Sequence, residues 1–328
     1  MADLRDISIL VPGQLHPRSV RRIGEAFNLV LADNIDASAI TDEMKAMVRG
    51  IAVSPALGGA SVGPEFLQAL PELEIVANFG VGYDGVDAVN AGKLGIMVTN
   101  TPDVLTEEVA DTALGLLLNT VREFSRAEAY LREGRWAKEG GYPLTKASLR
   151  GRRVGIFGMG RIGQAIARRL EAFGLPIAYH NRRPVEGVTY AFHPTLEGLA
   201  AAVDTLISVA PGTPATEKAV NSKVLKALGP NGVFVNIGRG STVDEDALAA
   251  ALKNGTILAA GLDVFSNEPH VPEALLTLPN ATLLPHVGSA SIATRDGMAD
   301  LVVDNLIEWF SKGRALTPVP ETAKVGRR

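Results

Sequence analysis

Gly158-Met159-Gly160-Arg161-Ile162-Gly163 is the stretch that decides the fold. The apolar residues 154–157 before it predict a strand, and residues 161–173 after it predict a helix; a glycine pattern gains meaning only in that context. Glycine permits a tight turn and close backbone approach, so a pyrophosphate can rest on the amino end of the helix, where N–H groups point outward. The plain alternative is a strand-to-helix turn that binds nothing.

Working outward, further strands are expected at 176–180, 205–209, 232–236 and 259–262. Upstream, residues 7–11, 29–32, 51–54, 75–79 and 96–99 read as an earlier strand series, separated by stretches such as 19–27 and 41–48 that carry apolar residues at helical spacing. Strands alternating with helices predict an α/β chain with two Rossmann-like parallel-sheet domains. Thr106, followed by Glu107 and Glu108, suits a helix start, because a hydroxyl cap and early acids complement the helix dipole. That helix is expected to run to about residue 131, with 113–118 as its buried, interdomain part. A last helix at 291–310 places Met298, Leu301, Val302, Asn305, Leu306 and Trp309 on one face and is expected to pack on the first domain. The Pro-containing, charged tail after Leu316 is expected to be mobile.

Composition narrows the function classes. At 328 residues the chain exceeds one ordinary core, and 46 % hydrophobic with 21 % charged residues suits a globular protein. A net charge of −4 argues against nucleic acid as the main partner. No run approaches the roughly 18 apolar residues of a membrane span, and the residues before the first strand lack the long apolar stretch expected of a secretory signal. The chain has no cysteine, which removes thiolate nucleophiles and thiolate metal sites and suits a cytoplasmic address. His16, His180, His193, His270 and His286 show no paired metal-ligand spacing.

At the end of the strand after the glycine loop, an acid would bind the ribose hydroxyls of NAD. Asn181-Arg182-Arg183 stands there instead. Planar guanidinium donors match phosphate oxygens, so the loop favours the 2′-phosphate of NADP(H), with NAD(H) still possible. A solvated basic loop is the alternative.

Three further residues follow separate predicted strands: Arg239 in Asn236-Ile237-Gly238-Arg239-Gly240, Glu268 in Asn267-Glu268-Pro269, and His286 in Pro285-His286-Val287-Gly288. Ligands of such folds bind at the carboxyl ends of strands, so the three can converge. Hydride addition to a 2-oxo acid needs a proton donor for the carbonyl oxygen, and a histidine beside a carboxylate suits that task. Arg239 would hold the substrate carboxylate and polarise the carbonyl. Singly, each residue reads as a surface pair or a structural hydrogen-bonder; jointly they read as a site.

These residues resemble the D-isomer-specific 2-hydroxyacid dehydrogenase family, in its glyoxylate/hydroxypyruvate reductase branch. The likeness rests on Asn78-Phe79-Gly80-Val81-Gly82-Tyr83-Asp84, Thr101-Pro102, residues 107–111, the glycine loop, residues 236–240 and 261–265, Glu268-Pro269 and residues 286–290. It implies a discontinuous substrate domain of residues 1–100 and 289–328, and a dinucleotide domain of 101–288. It implies a homodimer formed through the dinucleotide domain, with an arm around 122–143. Val81 and Gly82 would offer N–H groups to the substrate carboxylate opposite Arg239 and His286, with Leu57 shaping the side-chain pocket. Asp263 would fix the nicotinamide carboxamide. Val209, Ala210, Pro211, Gly212, Thr216, Ile237, Gly238 and Gly288 would line the cofactor. One departure is Asn78, where some relatives carry an arginine.

Rival readings are a dinucleotide-sensing corepressor, which can share the fold, and a formate- or phosphite-oxidising enzyme. Tyr142-Pro143-Leu144-Thr145-Lys146 imitates a Tyr-x-x-x-Lys pair, but it precedes the glycine loop and Pro143 would disturb the helix such a pair requires.

Overall fold

The computed structural model describes residues 3–33, 36–54 and 61–327. It divides into two compact units, Met1–Leu105 with Ser291–Arg328, and Thr106–Ala290. Leu57 lies outside the described residues.

The first unit runs β1 (Ser8–Pro12), α1 (Pro17–Ala26), β2 (Asn28–Ala32), α2 (Asp42–Met47), β3 (Val48–Val53), α3 (Pro64–Gln68), β4 (Ile75–Asn78), α4 (Ala88–Leu94) and β5 (Met97–Thr99). Its strands form one parallel sheet in the order β2-β1-β3-β4-β5, the flavodoxin-like winding. Every residue of β1, β4 and β5 is buried, as expected for strands covered on both faces. That explains why these strands read as continuous apolar runs without alternation.

The C-terminal helix, Ile292–Lys312, packs on α1 and β4. Arg18 Nε lies 2.7 Å from Asp300, and Arg22 reaches Asp300 at 2.9 Å and Asp304 at 2.7 Å. Such partly exposed pairs contribute about 0.2–1 kcal/mol each. Trp309, 1 % exposed, matters more, since truncating a buried aromatic costs about 3–5 kcal/mol. Apolar packing holds this helix and the ion pairs set its register.

The tail corrects the expectation of mobility. Thr99 bridges Pro318 antiparallel, Val319 N–H donates to Val98 O at 2.9 Å, and Val319 and Thr322 are 1 % and 0 % exposed. Pro318 suits this place at the open edge of β5, where no further ladder bond is required of it. Two buried side chains within a polar segment left too little periodicity to see.

The second unit runs α5 (Thr106–Arg122), α6 (Phe124–Arg132), α7 (Arg135–Glu139), β6 (Val154–Phe157), α8 (Arg161–Ala172), β7 (Ile177–His180), β8 (Ala191–Phe192), α9 (Leu196–Ala202), β9 (Thr205–Ser208), α10 (Ser222–Leu228), β10 (Val233–Asn236), α11 (Glu245–Lys253), β11 (Ala259–Leu262), α12 (Glu273–Leu276) and β12 (Ala281–Leu283). Its sheet is parallel in the order β12-β11-β10-β9-β6-β7-β8. Counting from β6, this is the Rossmann order extended by one strand, with the reversal between β6 and β9. The edge strands β8 and β12 escaped the sequence reading because two or three residues carry no period.

The single helix expected over 106–131 is in fact two. Glu123 takes a left-handed conformation at φ 54°, and the Asn119 side chain accepts the Ser125 N–H at 2.9 Å while donating to the Ser125 hydroxyl at 2.7 Å. A side chain that satisfies the next helix's first donors competes with helix continuation.

Register prepares the site. Phe157, His180, Ser208, Asn236, Leu262 and Leu283 are matched across the sheet as the last residues of β6, β7, β9, β10, β11 and β12. The residues that follow this row therefore emerge along one edge. By contrast Arg152, the one buried arginine among the described residues, lies before β6 and donates to Thr205 Oγ1, Asp204 O and Asn231 O at 2.5–2.6 Å. A guanidinium at the amino ends of the strands is used up in structure; Arg239 leaves the carboxyl end.

Candidate active site

The glycine loop sits where β6 ends, and its three glycines have three causes. Gly158 has φ 104°, and a Cβ there would lie 2.8 Å from Ala210 N. A Cβ on Gly163 would lie 2.2 Å from Gly158 O, so the helix could not approach the turn. At Gly160 a Cβ would meet nothing within 4 Å. The protein itself does not require glycine at 160; a ligand lying against the backbone there would. That open cradle, at the exposed amino end of the twelve-residue α8, fits a dinucleotide pyrophosphate. Met159 is buried, and Arg161 and Ile162 begin α8.

Asn181 immediately follows β7, and its Oδ1 accepts the Met159 N–H at 2.6 Å. An N–H can only donate, so the amide oxygen must face the loop and the NH2 faces elsewhere. Arg182 and Arg183 are exposed, and among the described residues neither makes an ion pair or a side-chain hydrogen bond. Two unengaged cations stand beside the loop.

Val209, Ala210 and Pro211 follow β9, and Ala210 is buried against the glycine loop. Thr216 turns its hydroxyl inward, donating to Pro211 O at 2.6 Å and accepting the Thr213 N–H at 2.9 Å, so it shapes the 211–216 loop. Ile237 is 6 % exposed and follows β10. A Cβ on Gly238 would lie 2.8 Å from Ala210 O, which packs the β9 and β10 loops together.

Arg239 is held by its own backbone. Asn236 Nδ2 and Thr242 Oγ1 donate to Arg239 O at 2.9 and 2.7 Å, Asn236 Oδ1 accepts the Gly238 N–H at 3.1 Å, and Arg239 Nη1 donates to Gly238 O at 2.8 Å. Asn236 was visible in sequence only as part of a motif. Its side chain makes the turn, and an amide ending an apolar strand was the available signal.

His286 Nδ1 lies 2.6 Å from Glu268 Oε2, with side chains 32 % and 29 % exposed. Glu268 Oε1 accepts the Phe265 N–H at 2.9 Å, and the Glu268–Pro269 bond is cis. Burial alone would raise the Glu268 carboxyl. Burial is the largest single influence, but the hydrogen bond from His286, the Phe265 N–H and the nearby charges of His286 and Arg239 together outweigh it and hold Glu268 below the usual carboxylate range. A charged carboxylate at Nδ1 requires the proton on that nitrogen and leaves Nε2 for proton exchange.

His286 is itself conformationally unusual, at φ 52°, with its N–H bonded to Asp263 O at 2.8 Å. Side chains rarely adopt this region unless their surroundings insist, and such residues cluster at functional sites. Asp263 supplies the insistence: its two oxygens accept the Val287 and Gly288 N–H groups at 2.7 and 2.8 Å. Burial raises the Asp263 carboxyl despite these bonds. Each oxygen retains a second lone pair, so the structural role leaves a cofactor contact open.

In the first unit, Asn78 Nδ2 donates to Gly80 O and Gly82 O at 3.2 and 3.0 Å, and Asn100 Nδ2 donates to Val81 O at 2.8 Å. The carbonyls of this loop are thus tied to side-chain amides. Among the described residues neither the Val81 nor the Gly82 N–H donates a hydrogen bond. Asn78 thus serves as a clamp for this loop.

The geometry of the second unit meets the requirements of nicotinamide-linked carbonyl chemistry, and residues 114–288 match the model of the D-isomer specific 2-hydroxyacid dehydrogenase NAD binding domain. The chain belongs to the D-isomer specific 2-hydroxyacid dehydrogenase family. Like other members of this family it is an NAD(P)-dependent oxidoreductase. It is 49 % identical over 265 residues to a glyoxylate/hydroxypyruvate reductase of Arabidopsis thaliana, covering 80 % of this chain and 84 % of that one. It is 49 % identical over 260 residues to the hydroxyphenylpyruvate reductase of Plectranthus scutellarioides, covering 79 % and 82 %. Among solved structures, an NADPH-dependent glyoxylate/hydroxypyruvate reductase of Sinorhizobium meliloti in complex with NADP and malonate is 62 % identical, with TM-score 0.94 and coverage of 98 % and 99 %. Among the described residues of this dehydrogenase no helix is long and apolar enough to cross a membrane.

Proposed function

We propose that the chain is an NADPH-preferring reductase of small 2-oxo acids such as glyoxylate or hydroxypyruvate, with His286 as proton donor. The observation that carries this reading is the 2.6 Å pairing of His286 with Glu268 at the end of a sheet whose first loop is built for a dinucleotide. A nicotinamide cofactor held by the glycine loop would supply the hydride for the carbonyl carbon. His286 Nε2–H gives its proton to the carbonyl oxygen as the C=O bond becomes C–O–H, and Glu268 stabilises the imidazolium before transfer. Arg239 binds the substrate carboxylate, a task for a charge that persists at all working pH values.

Glycines 158, 160 and 163 with Met159, Arg161 and Ile162 hold the pyrophosphate, and Asn181, Arg182 and Arg183 receive the 2′-phosphate. The unengaged state of both guanidiniums supports that preference, as does the NADP bound to the Sinorhizobium relative. Val209, Ala210, Pro211, Thr216, Ile237, Gly238, Asp263 and Gly288 complete the cofactor contacts. The first unit acts as substrate domain through Val81 and Gly82. The protein works as a cytoplasmic homodimer through the arm at 122–143, where Phe124, Leu131 and Trp136 each leave at least half their surface exposed.

The test is a panel of glyoxylate, hydroxypyruvate, hydroxyphenylpyruvate and larger 2-oxo acids, each run with NADPH and NADH. Turnover of the small acids, faster with NADPH, is expected. Dinucleotide binding without turnover of any acid would favour the sensing corepressor.

A further inference from the structure

Glu245 is the first residue of α11, where the helix dipole favours an acid. It is not the cap: Asp244 accepts the Ala247 N–H at 3.1 Å and fills that role. The Glu245 carboxylate instead spans 21 residues to Ser266, accepting its N–H at 2.8 Å on Oε1 and its hydroxyl at 2.5 Å on Oε2. Both oxygens of a partly exposed carboxylate are thereby committed to one residue.

Ser266 stands between the two halves of the site. Its neighbour Phe265 donates the N–H that Glu268 Oε1 accepts at 2.9 Å, and Glu268 Oε2 faces His286 Nδ1. On the other side, a Cβ on Gly240 would lie 1.8 Å from Phe265 C and 2.2 Å from Ser266 N. The backbone following Arg239 therefore rests directly on the backbone that aims Glu268. Packing at Gly240 limits how close these two segments come; the Glu245 bonds keep Ser266 from moving away.

We propose that Glu245 is a positioning residue for the His286–Glu268 pair: by anchoring Ser266 it fixes the Phe265 N–H that orients Glu268. This rests on the reductase reading of the site. An acid that merely decorated a helix terminus would affect stability and leave the chemistry of His286 unchanged.

The full-length protein is compared with Glu245→Ala, Glu245→Gln and Ser266→Ala. The measurements are NADPH affinity, glyoxylate kcat and KM across pH, and the titration of the His286 ring followed by 1H–15N spectra. Glu245→Ala is expected to lower kcat about tenfold, as small misplacements at a reacting centre do, and to move the alkaline limb of the profile toward lower pH. NADPH affinity is expected to stay within about twofold, since the glycine loop is untouched. Glu245→Gln, which keeps an acceptor for the Ser266 N–H, recovers part of the rate. If Glu245→Ala does not fold, Ser266→Ala removes the hydroxyl contact from an exposed position and decides the same question. An unchanged pH profile and unchanged ring titration would overturn the proposal, as would a loss confined to thermal stability. Should the unaltered protein reduce no 2-oxo acid, the reductase reading fails by itself. The ring titration then still decides whether Glu245 governs the pair.

Discussion

His286 Nδ1 and Glu268 Oε2 meet at 2.6 Å, brought together from the loops that follow β12 and β11. Burial raises the Glu268 carboxyl, but that contact, with the Phe265 N–H and the charges of His286 and Arg239, holds it below the usual carboxylate range. Because Glu268 is depressed, its favourable charge is present above its lowered pKa and lost only as pH falls through it. Loss of the Glu268 charge should therefore produce no acid limb in the steady-state reduction profile down to about pH 5, above the ordinary carboxylate range near 4.3.

Glu268→Gln removes the charge and retains the shape. It should lower kcat by about 10²–10⁴, the usual contribution of a positioned acid–base system, and move the alkaline limb of the reduction profile to lower pH. Steady-state profiles of both proteins check this; superimposable limbs would show that the carboxylate does not support the imidazolium.

Gly160→Ala separates ligand from fold. Among the described residues nothing beyond its own chain neighbours lies within 4 Å of the added methyl, and Gly160 is already extended at φ −82°, so stability should change by no more than about 0.5 kcal/mol. NADPH affinity should fall at least about tenfold, or roughly 1.4 kcal/mol, because the methyl occupies the pyrophosphate's place. Calorimetric melting and fluorescence titration measure the two quantities; unchanged affinity would move the pyrophosphate elsewhere.

Asn181→Asp combined with Arg182→Ser and Arg183→Ser places an acid where ribose hydroxyls would be read and removes the phosphate donors. The ratio of kcat/KM for NADPH to that for NADH should fall by about 10² or more, since two charge-assisted contacts are lost. An unaltered ratio would return the arginines to the role of a solvated surface loop.

Thr322→Val tests the ordered tail. The Thr322 hydroxyl accepts the Val98 N–H and donates to Val98 O, both at 3.1 Å, in a fully buried position. The isosteric apolar replacement takes the acceptor from the buried Val98 N–H, while Val98 O keeps the Val319 N–H, and should cost about 1–3 kcal/mol in denaturant unfolding. A neutral outcome would mean that the tail contributes little to the first unit.

Much of the site was legible because its chemistry is local in sequence: a glycine loop between strand and helix, and Arg239, Glu268 and His286 each just after a strand. What escaped notice depends on contacts between distant residues. The Asn78 and Asn100 clamps, the bonds of Asp263 to the Val287 and Gly288 N–H groups and the reach of Glu245 to Ser266 have no periodic signature. The same holds for β8 and β12, too short for a pattern, and for the helix break at Glu123, which only the Asn119–Ser125 exchange explains. The tail was misread for a related reason, because Val319 and Thr322 owe their burial to β5 and not to their neighbours in sequence.

The most direct measurement is single-turnover reduction of glyoxylate by His286→Ala with NADPH already bound. Hydride transfer is expected to be slower by about 10²–10⁴ with NADPH affinity essentially unchanged, as for a ring that serves the reacting oxygen and not the cofactor. Hydride transfer at the unaltered rate, or equal losses in rate and cofactor binding, would contradict a proton-donating role for His286.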